Sequence, residues 1–329
     1  MPLQIMKRQP RAVPATSGRM RHCTCLLAAF AVALSKVQAA DSAPSEIPFE
    51  FREGLIWIKA TIFQSTKPLN FLVDTGAGAS VLNLAVAEQS GLKPGKPISV
   101  RGVNSTLTGY WLNGISATAN GIPLPADYLA VDLAKLSGSC ERPVDGLLGA
   151  DFLRGRIVQI DFNAQKIRLL STHTLLSGNS LPLQLRPCGM RVPITVNGRK
   201  RQWVRLDTGC ATPLQWVSSP VHTEHCSKRI SIGLSEMSIP QAETTVQIGA
   251  AHFEKVATGM HEAPLFAGEA GLLGNGLLSR FSRITIDARA GRVDFEQKTL
   301  VFDRNLPVDE GQCGFRIKML ALLYSAKRS

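Results

Sequence analysis

The sequence predicts a mostly β protein made of two copies of one lobe. Three observations carry this. Short runs of Val, Ile and Thr are punctuated by 28 Gly and 19 Pro, with only 6% aromatic residues, a texture of strands and turns. An apolar run ending in Asp-Thr-Gly occurs twice, at Asp74-Thr75-Gly76 and at Asp207-Thr208-Gly209. Each copy is followed by Gly-Leu-Leu-Gly, at 146–149 and 271–274, and then by a strand closing on Asp161 or Asp287. The copies are offset by 133 residues at the acid, 125 at the last Gly and 126 at the closing Asp. Matching features in one order at a near-constant offset mean that a whole domain is duplicated.

This divides the 329 residues into a leader (1–40), a polar linker (41–50), a first lobe (51–176), a second lobe (177–300) and a tail (301–329). The leader has basic residues before a short apolar run, Cys25 to Leu34, and small residues at Val37 and Ala39. That is a secretory signal, so the expected location is periplasmic or secreted. The apolar run is too short to span a bilayer, and no stable membrane insertion is expected after cleavage. Six of the 37 basic residues and no acid lie in the first 40, which lowers the balance from +12 to +6. The remaining basic residues are scattered and not interleaved with aromatics, so nucleic acid is not an expected partner. Five Cys follow the leader; export permits disulfides, and an odd count leaves at least one unpaired.

Along the first lobe, residues 55–63 read as a strand, 64–68 as a turn, and 70–73 as the return strand that delivers Asp74. Asn83 offers an N-cap to a short helix that Gly91 stops. Residues 98–131 read as three short strands separated by glycines. The second lobe repeats the order: a strand at 191–196, an Asn197-Gly198 hairpin turn, and a return strand ending at Asp207. Asp161 and Asp287 read as turn formers, Asp145 as structural, and Trp57, Trp203 and Trp216 as core. The tail reads as a terminal helix or a frayed end.

If the two Asp-Thr-Gly turns face each other, the chain holds a carboxylate pair. Gly76 and Gly209 let the backbone turn sharply beside each acid. Two carboxylates about 3 Å apart cannot both ionise, so they share a proton. Such a pair can activate water with one member and protonate a carbonyl with the other.

The duplicated Asp-Thr-Gly, with Ala77 and Ser80 after the first copy and Gly-Leu-Leu-Gly in both, resembles the aspartic peptidases over roughly residues 50–298. Two lobes on one chain are pepsin-like; the small size of each lobe is retropepsin-like. The resemblance implies two homologous acid-protease β-barrel lobes related by a pseudo-twofold. It also implies an endopeptidase with Asp74 and Asp207 as catalytic dyad, supported by Thr75, Gly76, Thr208 and Gly209, and no cofactor or metal. The expected partner is an extended polypeptide, taken by a monomer. The family's threonines cross-bond the two loops, and its flaps are hairpins; the candidates here are Gly102 and Val103, and Gly233 and Leu234.

The second copy departs from the pattern. Cys210 follows the Gly, and Pro213 stands where the first copy has Ser80. A catalytically impaired, peptide-binding version of the fold is therefore the rival reading. Neither Ala77 nor the weak donor Cys210 offers a hydroxyl to the carboxylates, so an optimum in a mildly rather than strongly acidic range is expected. The cluster His222, His225 and Cys226 reads as a loop better than as a zinc site, because it lacks an evident fourth ligand. Gly76-Ala77-Gly78 lacks the third glycine of a dinucleotide loop.

Overall fold

The computed structural model describes residues 46–298, apart from breaks at 64, 66, 103–104, 172–178, 188, 218–226 and 233–234, together with 317–319 and 322–323. The described helices are three short ones, Leu84–Gln89, Ala134–Ser139 and Asn275–Leu278; the other regular elements are strands.

Alternation fixes the local choices. In Leu55–Ile62, Lys59 and Thr61 point to water between buried Ile58, Ala60 and Ile62. Asn197 and Gly198 have φ of 50° and 65°, as a two-residue hairpin turn matched to strand twist requires. Asn83 caps its helix by accepting from Ala85 N.

The strands build two sheets of one plan. The first runs Pro97–Gly102, Ser105–Leu112, Tyr128–Val131, Val81–Asn83, Gly146–Leu148, Leu69–Val73, Leu55–Ile62 in spatial order. The second runs Ser227–Ile232, Ser235–Ile248, Ala251–His261, Leu214–Val217, Gly271–Gly274, Gln202–Asp207, Gly189–Val196. Position by position the two orders are the same. In each, the strand that delivers the acid lies parallel to the Gly-Leu-Leu strand: Leu72 sits beside Leu147, and Leu206 beside Leu273.

A third, six-stranded sheet joins the copies: Glu46–Pro48, Lys166–Leu170, Ile157–Asp161, Phe281–Asp287, Arg292–Gln297, Asn179–Pro182. Its seam is the antiparallel pair of closing strands, with Gln159 facing Thr285 and Ile160 facing Ile284. Both isoleucines are buried in a core cluster drawn from both halves. Asp161 accepts from Arg168 in its own half (2.5 Å) and from Arg283 in the other (3.2 Å). Asp161 and Asp287 also accept from Ala164 N and Ala290 N, three residues on, which is the turn role expected of them.

Three expectations are corrected, and one element is new. The linker expected over 41–50 is cut short: Glu46–Pro48 is already a strand of the joining sheet, paired with Lys166–Leu170. Its twofold counterpart is Asn179–Pro182 on the opposite edge. Residues 98–131 hold four strands and the greater part of a fifth, with Gly109 inside one rather than at a break; a Cβ there would lie 2.6 Å from Val100 Cγ2, so the glycine serves close strand packing. The short helix Ala134–Ser139, whose first N–H is held by Asp132 Oδ1 (2.8 Å), was not expected. In the tail, Ile317–Met319 and Leu322–Leu323 are strands: the first pairs with Ser227–Ile232, the second with Pro97–Gly102. Among the described residues no helix is long and apolar enough to cross a membrane.

Because the seam belongs to both halves, Ile160→Ala should cost about 2–5 kcal/mol. Denaturant unfolding followed by fluorescence and by far-UV circular dichroism should remain one coincident transition. Two separated transitions would mean that the halves fold independently.

Candidate active site

Each acid is placed by its strand. Asp74 follows Leu69–Val73, and its N–H is tied to Leu148 O (2.9 Å). Asp207 ends Gln202–Asp207 beside Gly274. The structure brings the two loops into direct contact. A Cβ on Gly76 would lie 2.6 Å from Asp207 Cγ, and one on Gly209 2.5 Å from Asp74 Cγ. Each glycine backbone is thus stacked on the opposite carboxyl, and any side chain there would push the pair apart.

Beneath them the threonines cross. Thr75 Oγ1 donates to Leu206 O (2.7 Å) and accepts from Thr208 N (3.1 Å). Thr208 Oγ1 donates to Val73 O (2.8 Å) and accepts from Thr75 N (3.0 Å). All four bonds are buried, so each satisfies groups that could not reach water.

The two acids are dressed unequally. Asp74 Oδ1 accepts from Gly76 N (2.9 Å) and Ala77 N (3.0 Å). Asp207 Oδ1 accepts from Gly209 N (2.9 Å), while Cys210 N donates to the main-chain carbonyl of Asp207 (3.2 Å). Both side chains are fully buried. Their Oδ2 atoms take no N–H, and the carboxyls lie near enough for the charge of one to oppose ionisation of the other. Burial pushes Asp74 up to about 7, against the pull of the Ala77 and Gly76 N–H groups. Burial and then the charge of Asp74 raise Asp207 well above the ordinary carboxylate range.

The two lobes hold their loops differently. Ser80 Oγ donates to Asp151 Oδ1 (2.7 Å) and accepts from Gly149 N (3.0 Å). In the second lobe Gly274 N donates to the main-chain carbonyl of Pro213 instead (3.1 Å). The sulfur of Cys210 lies 3.0 Å from Thr212 Oγ1, turned to that hydroxyl. Gln215 Nε2 donates to the same oxygen (2.8 Å), and His261 Nε2 meets Gln215 Oε1 (2.7 Å). So the substitutions at Cys210 and Pro213 leave the crossed threonine bonds intact.

Sequence reasoning missed two groups. Asn275, fully buried, donates from Nδ2 to Thr208 O (2.7 Å) and across to Gly54 O in the first lobe (2.8 Å). Arg205 donates from Nη1 to Gly76 O (2.8 Å). The position of Arg205 two residues before Asp207, inside an apolar strand, was a usable signal. The flap candidates are placed in part. Gly102 is the last paired residue of its hairpin, opposite Ser105, and not its tip. Val103, Gly233 and Leu234 lie outside the described residues, as does the cluster at 222–226; the second hairpin closes with Ile232 opposite Ser235.

Two β lobes, a joining sheet and an Asp pair on crossed Asp-Thr-Gly loops define the architecture of the aspartic proteinases. A model of the aspartyl protease family matches residues 58–152, most of the first lobe. Among solved structures, the aspartic proteinase from Irpex lacteus superposes with a TM-score of 0.53 at 12% identity, covering 79% of this chain and 99% of that one. No curated protein sequence matches. The sequence match in the first lobe and the fold of the whole body together support the aspartyl protease family.

Two outcomes follow for stability. Thr208→Val strands the Thr75 N–H and the Val73 carbonyl in the interior and should cost about 2–4 kcal/mol in denaturant unfolding. Asp74→Asn should act in the opposite direction. An acid whose folded value is raised loses stability as pH climbs from its unfolded value, about 3.9, to its folded one. Removing the charge should therefore raise Tm at pH 7, by the equivalent of about 2 kcal/mol or more, and much less at pH 4.

Proposed function

We propose that this chain is an exported aspartic endopeptidase in which Asp74 and Asp207 activate a water molecule for attack on a peptide carbonyl. The observation that supports the reading is the stacking of each loop glycine on the opposite acid, which brings two buried carboxyls together as sharing of one proton requires. Asp74, with two N–H donors on Oδ1, is the member better able to stay ionised and serves as base. Asp207, with one, holds the proton and serves as acid toward the carbonyl oxygen. As water attacks, its proton passes to Asp74 while Asp207 protonates the oxygen. Collapse of the tetrahedral intermediate then returns a proton to the leaving amine, with no covalent enzyme intermediate. The substrate is a polypeptide in extended form, whose backbone can pair with strand edges such as those of the two hairpins. Export rests on the leader pattern before Ala40.

Purified protein should cleave an unfolded polypeptide such as reduced casein, and Asp74→Asn or Asp207→Asn should each lower kcat by about 10³-fold. Full activity in either variant would defeat the dyad assignment. A wild-type protein that binds peptides without cutting them would favour the impaired, peptide-binding reading.

The pH profile has a defined sign. The working state has Asp74 ionised and Asp207 protonated. Activity should fall as pH drops through the Asp74 value near 7, and fall again at higher pH when Asp207 gives up its proton. The maximum should lie nearer neutrality than the mildly acidic range read from the sequence. A maximum near pH 2 would contradict the dyad environment described here.

A further inference from the structure

The second lobe carries an ion cluster where the first carries hydrocarbon. Arg205 occupies the register position of Leu72: Leu72 pairs with Trp57 and Leu147, and Arg205 with Arg191 and Leu272. Ala270 N bonds Trp203 O as Asp145 N bonds Asn70 O, which makes Glu269 the counterpart of Val144. Trp57, Leu72 and Val144 are all buried in one apolar cluster. Their counterparts Arg191, Arg205 and Glu269 are bound to each other. Glu269 accepts from Arg205 Nε and Nη2, both at 2.8 Å, and from Arg191 Nε at 2.8 Å. Arg205 and Glu269 are each 2% exposed at the side chain.

A buried ion cluster is a poor stabiliser compared with apolar packing, and the first lobe shows that this site accepts apolar packing. The direction of Arg205 explains what the cluster does. The guanidinium lies on the Phe266 ring, 3.7 Å from its centroid, and Glu269 holds one edge of it. The remaining amine, Nη1, reaches across to the opposite loop and donates to Gly76 O. Gly76 is the residue whose N–H holds Asp74 and whose backbone stacks on Asp207.

We infer that Arg205, aimed by Glu269, is a positioning residue for the dyad. It fixes the Asp74 loop from the other lobe and supplies the cation that keeps one carboxylate of the pair ionised. The inference rests on the dyad reading given above. Its electrostatic side is consistent with Arg205 favouring the ionised form of both acids. Besides Arg205, the groups acting on the pair are the N–H donors of Gly76, Ala77 and Gly209; the buried Cys210 thiol stays neutral. Arg191, at the rim, has further partners in Ala267 O and Gly268 O.

The test is a carboxyl-carbon NMR titration of Asp74 and Asp207, assigned by difference with Asp74→Asn and Asp207→Asn. It is run on wild type, on Arg205→Leu combined with Glu269→Val, and on Glu269→Gln. The double variant restores the first lobe's hydrocarbon at two of the three positions and leaves Arg191 on Ala267 O and Gly268 O. In it the first titration of the pair should move up by about one pH unit. With a cleavable substrate, the acid limb of the rate profile should move with it, and kcat should fall at least ~10-fold at little change in KM. Glu269→Gln leaves the cation uncompensated and should move the titration down. A folded double variant with unmoved titration would overturn the inference. Should the double variant not fold, Glu269→Gln decides alone: no downward movement would overturn it. Because the titration needs no turnover, a wild type that cleaves nothing would sink the peptidase reading while this test still ran.

Discussion

Two buried carboxyls in contact repel one another and resist burial, so something else must hold them. The crossed threonine bonds do this. Thr75 and Thr208 each anchor in the strand of the other lobe, so neither loop can withdraw without breaking bonds that have no solvent to replace them. The rest of the fold serves that contact. The parallel Gly-Leu-Leu strands fix where each acid leaves its sheet, and the joining sheet fixes one lobe against the other.

Duplication made the device, and divergence then made its halves unequal. The first lobe anchors its loop through Ser80 and Asp151. The second does so through main-chain bonds and through Asn275, which reaches into the first lobe. One acid has two amide donors, the other one. A symmetric pair would have no preferred proton carrier; here the two acids differ in their amide donors. The ion cluster around Arg205 is a further difference of the same kind, confined to one lobe.

Much of this was legible in the sequence because it depends on local pattern. Apolar runs ending in Asp-Thr-Gly, the repeated Gly-Leu-Leu-Gly and the fixed offsets located both lobes, the acids and their threonines. The first edge strand was less visible, since three residues are too few for a pattern. Its only trace is Ile47-Pro48-Phe49 matching Leu181-Pro182-Leu183 at an offset of 134. Asn275 and Glu269 were illegible for another reason, and Arg205, although conspicuous as a charge in an apolar strand, gave no sign of its partners. Their roles arise from partners 221, 129 and 64 residues away in the chain, and no local periodicity reports such contacts. The helix 134–139 and the strands of the tail are likewise decided by what they dock on.

The tail has a mechanical consequence. Its two short strands are stitched to the outer edges of both hairpins, with two residues between them. Sheet edges left bare are templates for association with other chains, and one segment covers both. It also yokes them: neither hairpin can swing outward beyond the slack of that link, at most ~11 Å from Met319 to Leu322, without pulling on the other. Two hairpins with a common tether move outward together or shed the tether first.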